Sequence, residues 1–221
     1  MSAQGYQGTV KTVQNGVDLG RRTNAKGSNE KLSQLPKSKA KYIAFADDDI
    51  LYPENHLHRL ICGVNVHNAA VSLHGSTLSR WPIRKYYFGD RQMHSWNIGL
   101  AEDTRADLIG TGVAMLKREW FTDEELKALY VDAPATSMDD IIVSCLLSQK
   151  GIERWVLEHQ GGCIRLKEKV ATDNYVYDSL YMTTETYREG FGKDPDIKAA
   201  FVNFEEGAEE NVIRNASADA A

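Results

Sequence analysis

Apolar residues along this chain of 221 residues come in short runs bounded by polar or glycine-bearing stretches, and the period of each run predicts an element. YIAFA, over 42–46, is apolar without alternation and predicts a fully buried strand. Pro53 then predicts the first turn of a helix, on which Leu57, Leu60, Ile61 and Val64 recur at core spacing. AAVSL, over 69–73, predicts a second apolar strand that ends at His74 and Gly75, and DLIGTGVAML, over 107–116, a third that contains Gly110 and Gly112. FTDEEL follows, with Thr122 and Glu125 spaced as a capping box and Phe121 and Leu126 as a hydrophobic staple, predicting a helix to about Tyr130. SMDDIIVSCLLSQKG predicts a further helix, with Ser137 as cap, an apolar face of Ile141, Ile142, Cys145 and Leu146, and Gly151 just past its end. A short strand over 154–158 precedes His159.

Weaker patterns fill the rest. A strand over 7–14, a polar helix over 29–35 and a linker over 36–41 precede YIAFA. Between 80 and 96 runs an irregular stretch rich in aromatics, too long for an ordinary connection and so a candidate binding loop. Strands alternating with helices predict an α/β layered fold. The expected organisation is one domain over 1–206 followed by a disordered tail over 207–221, rich in Ala, Glu, Asp and Asn.

Charge is uneven. Residues 1–41 hold eight Lys/Arg against two Asp/Glu, whereas the chain as a whole carries −5. The basic residues are dispersed without interleaved aromatics, which reads as a solvated face, and the acidic body argues against a nucleic-acid partner. No apolar run approaches the length of a membrane helix and MSAQGYQGTVKTV has no signal-peptide core, so the expectation is a cytoplasmic protein, or one peripheral at the inner face of a membrane. Cys62, Cys145 and Cys163 lack metal or disulfide spacing and are expected as small core hydrophobes.

The chemistry gathers at ADDDILYP. Asp47, Asp48 and Asp49 follow the apolar run directly, and buried carboxylates need a cationic partner. In an extended chain residues 47 and 49 point the same way, and two convergent carboxylates suit Mg²⁺ or Mn²⁺. The same triplet can instead cap the following helix in water. Asp139 and Asp140 likewise allow two readings, because acidic residues in a helix's first turn are stabilised by the macrodipole without any catalytic role.

YIAFADDDILYPENHLHRLI resembles the central segment of family 2-type glycosyltransferases of GT-A fold, in which a strand ends in a D-x-D motif and a helix follows a proline. SMDDIIVSCLLSQKGI resembles the family's acidic pair at the start of a helix, and GTGVAMLKREWF the glycine-bearing strand before it. The resemblance implies a Rossmann-related, three-layer α/β/α fold with a mostly parallel central sheet. It implies transfer of a sugar from a nucleotide-sugar donor, a UDP-sugar, to a hydroxyl of a glycan or glycoconjugate with inversion, in polysaccharide biosynthesis. Asp140 then matches the general base and Asp139 its acidic neighbour. Asp47 and Asp49 match the metal-binding positions, Asp47 and Asp48 face the donor, His159 completes the metal shell, and Lys26 lies near the phosphates. His74 is a candidate substrate contact. Trp81, Tyr86, Tyr87 and Trp96 are candidates for a sugar-stacking platform, with loop packing the competing reading. One departure is plain: the family's strands that read the nucleotide are not recognisable ahead of Tyr42, which implies an N-terminally truncated or rebuilt domain and an exposed strand edge, and allows a partial domain that binds without turnover.

Overall fold

The computed structural model describes residues 27–47, 50–79, 89–131 and 139–167. The expected strand over 7–14, the residues Trp81, Tyr86, Tyr87 and Ser137, and the tail over 207–221 lie outside them. A 3-10 helix, Gly27–Lys37, leads into β1 (Tyr42–Ala44) and β2 (Ile50–Leu51), then α1 (His56–His67), β3 (Ala70–Ser72) and β4 (Gly75–Leu78). Next come β5 (Arg91–His94), β6 (Gly99–Leu100), β7 (Thr104–Arg105), β8 (Leu108–Ile109) and β9 (Ala114–Lys117). α2 (Asp123–Val131), α3 (Asp139–Gln149), β10 (Arg154–Val156), β11 (His159–Gln160) and β12 (Arg165–Leu166) complete the order.

The central sheet runs β1-β9-β3-β10-β7. Its period-2 side-chain alternation divides the core into two faces. Ile43, Ala70, Ala114 and Leu116 pack with Leu32 and Leu35 of the 3-10 helix, Leu126 of α2, and Val143 and Leu147 of α3. Val71 and Met115 point the other way, onto Leu60 and Val64 of α1. The result is a mixed α/β structure with helical layers on both faces of the sheet.

Two expectations are corrected. The sheet is not mostly parallel: of its described pairings β3–β10 is parallel, whereas β1–β9, β9–β3 and β10–β7 are antiparallel. The cause is local, because DLIGTGVAML is not one strand. Its two glycines turn the chain through a short 3-10 segment, Thr111–Val113, and send β9 back between β1 and β3. Nor is YIAFA buried on both faces: Ile43 and Phe45 are buried while Ala44 and Ala46 are exposed. β1 is the edge of the described sheet, hydrogen-bonded to β9 alone; Ile43 and Phe45 face the core with α2 and α3, while Tyr42 on the opposite face packs half-buried against the α1 side.

Elsewhere the local chemistry acts as written in the chain. The Thr122 N–H donates to Glu125 Oε2 at 2.8 Å, and the Glu125 N–H donates to Thr122 Oγ1 at 3.1 Å, the reciprocal pair of a capping box. Gly151 closes α3 with φ +66°, a conformation open to glycine at no steric cost. The α1 helix starts at His56, three residues after Pro53, and His56 is buried beside the Tyr52 ring. Cys145 is buried as expected, Cys163 is half-buried and Cys62 is exposed. No described helix is long and apolar enough to cross a membrane.

Candidate active site

Asp47 leaves β1 at the end where the turn 111–113 returns from the neighbouring strand. The Phe45 N–H donates to the Ala114 carbonyl at 2.9 Å, holding the extended chain up to that point. Beyond it, the Tyr52 hydroxyl accepts the Asp47 N–H at 2.7 Å and donates to the Gly112 carbonyl at 2.6 Å, clamping the acidic turn onto the glycine turn. Gly112 is glycine for a packing reason: a Cβ there would come within 3.0 Å of Asp47 Cγ and still closer to its Oδ2.

α3 delivers the second pair of acids to the same place. Ser144 in its second turn accepts the Ile109 N–H at 3.1 Å, which seats the helix on β8 just before the turn. Asp140 Oδ1 then accepts both the Thr111 N–H and the Thr111 hydroxyl, each at 2.7 Å. The same hydroxyl also touches Asp139 Oδ2, and having one proton it can serve only one of the two carboxylates at a time. Asp139 is almost completely buried, whereas Asp140 is half-buried.

A residue that sequence reasoning missed ties these pieces together. Lys31, on the 3-10 helix, places its Nζ 2.6 Å from Asp47 Oδ1 and 2.8 Å from Asp139 Oδ2, with Thr111 Oγ1 at 3.5 Å. Burial opposes the ammonium charge, but the fields of Asp139 and Asp47 and their hydrogen bonds outweigh it and raise the lysine pKa. In Asp140 the balance runs the other way. Burial, and then the charge of Asp139, push its carboxyl up to about 6, against the Thr111 hydrogen bonds and Lys31. Lys31 carried no distinguishing signal in the chain, being one of several lysines in a polar segment 16 positions from Asp47 and 80 from Thr111.

Beside Asp140 opens a small cavity of about 20 Å³, room for a water-sized group, shared with His74, Ser76 and Arg91. Burial, followed by the charges of Arg91, His159 and His94, pushes His74 down to about 4, so its ring is neutral at ordinary pH. Its Nδ1 is buried without a hydrogen-bond partner among the described residues, and its ring lies 4.6 Å from that of Trp96.

The acids expected to act together, Asp47, Asp139 and Asp140, are thus one connected cluster. Lys26, Asp48 and Asp49 lie outside the described residues. His159 turns its ring nitrogens to two backbone carbonyls, Leu157 O at 2.7 Å and Ser95 O at 3.1 Å, so ligation would require it to surrender one of them. The described donor set does not fit a divalent metal. No three His, Cys, Asp or Glu side chains among the described residues converge as ligands, and the oxygens of Asp47 and Asp139 that face each other already hold an ammonium. No family model matches this chain, and no curated protein matches its sequence significantly.

Proposed function

We propose that this chain is a GT-A-like glycosyltransferase domain that moves a sugar from a nucleotide-sugar donor, a UDP-sugar, to a hydroxyl of a glycan or glycoconjugate, in the cytoplasm or at the inner face of a membrane. The observation that carries the reading is Asp140, a carboxylate raised to about 6 at the edge of a cavity and joined through Thr111 and Lys31 to Asp47. A base of that strength accepts a proton near neutral pH better than an ordinary carboxylate does. In the proposed step an acceptor hydroxyl oxygen attacks the anomeric carbon and loses its proton to Asp140. The bond from that carbon to the diphosphate oxygen breaks, and its electron pair leaves with the nucleotide, inverting the centre. The resemblance implies a Mn²⁺ or Mg²⁺ held by Asp49, Asp47 and His159; of these, Asp47 is engaged by Lys31 and His159 by two backbone carbonyls.

One observation favours a second reading, a GT-A-like domain that binds a ligand or partner without turnover: two of the acids, Asp47 and Asp139, are already paired internally with Lys31. The two separate on incubation with UDP-sugars and candidate glycan acceptors, with and without Mn²⁺. Turnover that Asp140→Asn lowers by about 10²-fold or more, with donor binding retained, is the expected result. Donor binding with no turnover supports the second reading, and an undiminished rate in Asp140→Asn removes Asp140 as the base.

A further inference from the structure

The acid cluster is built from oxygens that a hard cation would choose, two carboxylates and a hydroxyl, yet the group at their centre is a nitrogen. An ammonium has three donors, and Lys31 Nζ meets three oxygens: Asp47 Oδ1 at 2.6 Å, Asp139 Oδ2 at 2.8 Å and, more loosely, Thr111 Oγ1 at 3.5 Å. We infer that Lys31 is the built-in cation of this site, and that Asp47 and Asp139 take no divalent ion while its ammonium is in place.

Three features support it. The lysine side chain is 13 % exposed and that of Asp139 is 6 %, so the pair is shielded from competing water and salt. The ammonium is also carried by a fixed support, since the adjoining Leu32 and the nearby Leu35 are anchored in the core against α2 and β1. Finally, the position between Asp47 Oδ1 and Asp139 Oδ2 is taken by the ammonium, although the Asp47 side chain as a whole is 37 % exposed. Gly112 lets the Asp47 carboxylate lie flat on the turn, where Oδ2 faces backbone and Oδ1 faces Lys31. A divalent ion seated between Asp47 and Asp139 would have to displace a charged group and leave it buried beside a second positive charge, which costs more than the pair of bonds it replaces. A metal bound by the chain while the ammonium is in place must then use positions other than the one between Asp47 Oδ1 and Asp139 Oδ2, an inference drawn from the contacts of the lysine alone. It goes beyond glycosyl transfer and holds whether or not the chain turns over a sugar.

The test uses the full chain and Mn²⁺ alone, with no sugar nucleotide, so its outcome is independent of any transferase activity. Mn²⁺ binding is measured by electron paramagnetic resonance and by calorimetry for the wild type, Asp139→Asn, Lys31→Met, and Lys31→Met combined with Asp139→Asn. The wild type and Asp139→Asn are expected to bind Mn²⁺ alike, whether weakly or at some other site. Lys31→Met, which removes the ammonium from both carboxylates but keeps the apolar stem, is expected to bind Mn²⁺ about tenfold more tightly or better, and the double variant to lose that gain. Mn²⁺ affinity in the wild type that falls tenfold with Asp139→Asn overturns the inference, as does a folded Lys31→Met that gains nothing. Should Lys31→Met fail to fold, the comparison of the wild type with Asp139→Asn decides alone.

Discussion

At the scale of single residues, the site depends on a few groups whose roles come from what they touch. Lys31 shares its proton donors between acids from two different elements, Thr111 offers both backbone and hydroxyl to Asp140, and the Tyr52 hydroxyl holds two turns together. Gly112 is a small position without room for a side chain. A methyl group there meets the tip of the Asp47 side chain, which Lys31 holds from the other side. Gly112→Ala is therefore expected to cost about 1–3 kcal/mol of unfolding free energy in urea and to weaken the Lys31–Asp47 pair. Stability equal to that of the wild type would show that the acidic turn can move aside freely. The pairing of Asp47 with Asp139 was legible in part, because both acids stand where chain direction changes. The identity of their partner was not, since no local pattern separates Lys31 from its neighbouring lysines.

At the scale of elements, capping predicted the start of α2, whereas core spacing placed the face of α3 only in part: Ile141 and Cys145 are buried, Ile142 and Leu146 half-buried, and the buried Val143 and Leu147 fall outside the expected face. The α2 helix begins where the capping box places it, with Phe121 and Leu126 both buried, and α3 ends at Gly151. Strands were less legible. Apolar runs over 42–46 and 107–116 do not encode whether a neighbour lies on each side, so one was over-buried and the other, broken by its glycines, was read as continuous. Because α2 packs against the 3-10 helix that carries Lys31, weakening its first turn tests how the site is supported. Thr122→Ala removes one of the two reciprocal bonds and is expected to cost about 1 kcal/mol, read as a lower urea midpoint with an unchanged slope. No change in the midpoint would mean that the exposed cap contributes nothing in this context.

At the scale of the whole molecule, the burial of Asp140 makes a prediction about pH. Its carboxyl titrates at about 6 in the folded chain against an ordinary 3.8, so the native state binds the proton more tightly than the unfolded chain. The corresponding contribution to stability is fully present below 3.8 and is lost as pH rises through about 6. Asp140→Asn cannot titrate and escapes that loss. Its stability relative to the wild type is expected to improve by about 1–3 kcal/mol between about pH 4.5 and pH 7.5, measured by denaturation at each pH. A difference that does not change with pH would show that Asp140 titrates as an exposed carboxylate does. Together with reduced turnover in the same variant, a gain in stability would mark Asp140 as a residue held at an energetic cost for chemistry.

The sequence by itself determined a mixed α/β chain, the start of α2, the glycine that follows α3 and the positions of the acids, because caps, glycines and apolar spacing act within a few residues of themselves. Only the tertiary structure decided the antiparallel path of β9 and the meeting of Lys31 with Asp47 and Asp139. Those depend on which segments lie side by side in space. A buried charge finds its counter-charge across that space and not along the chain.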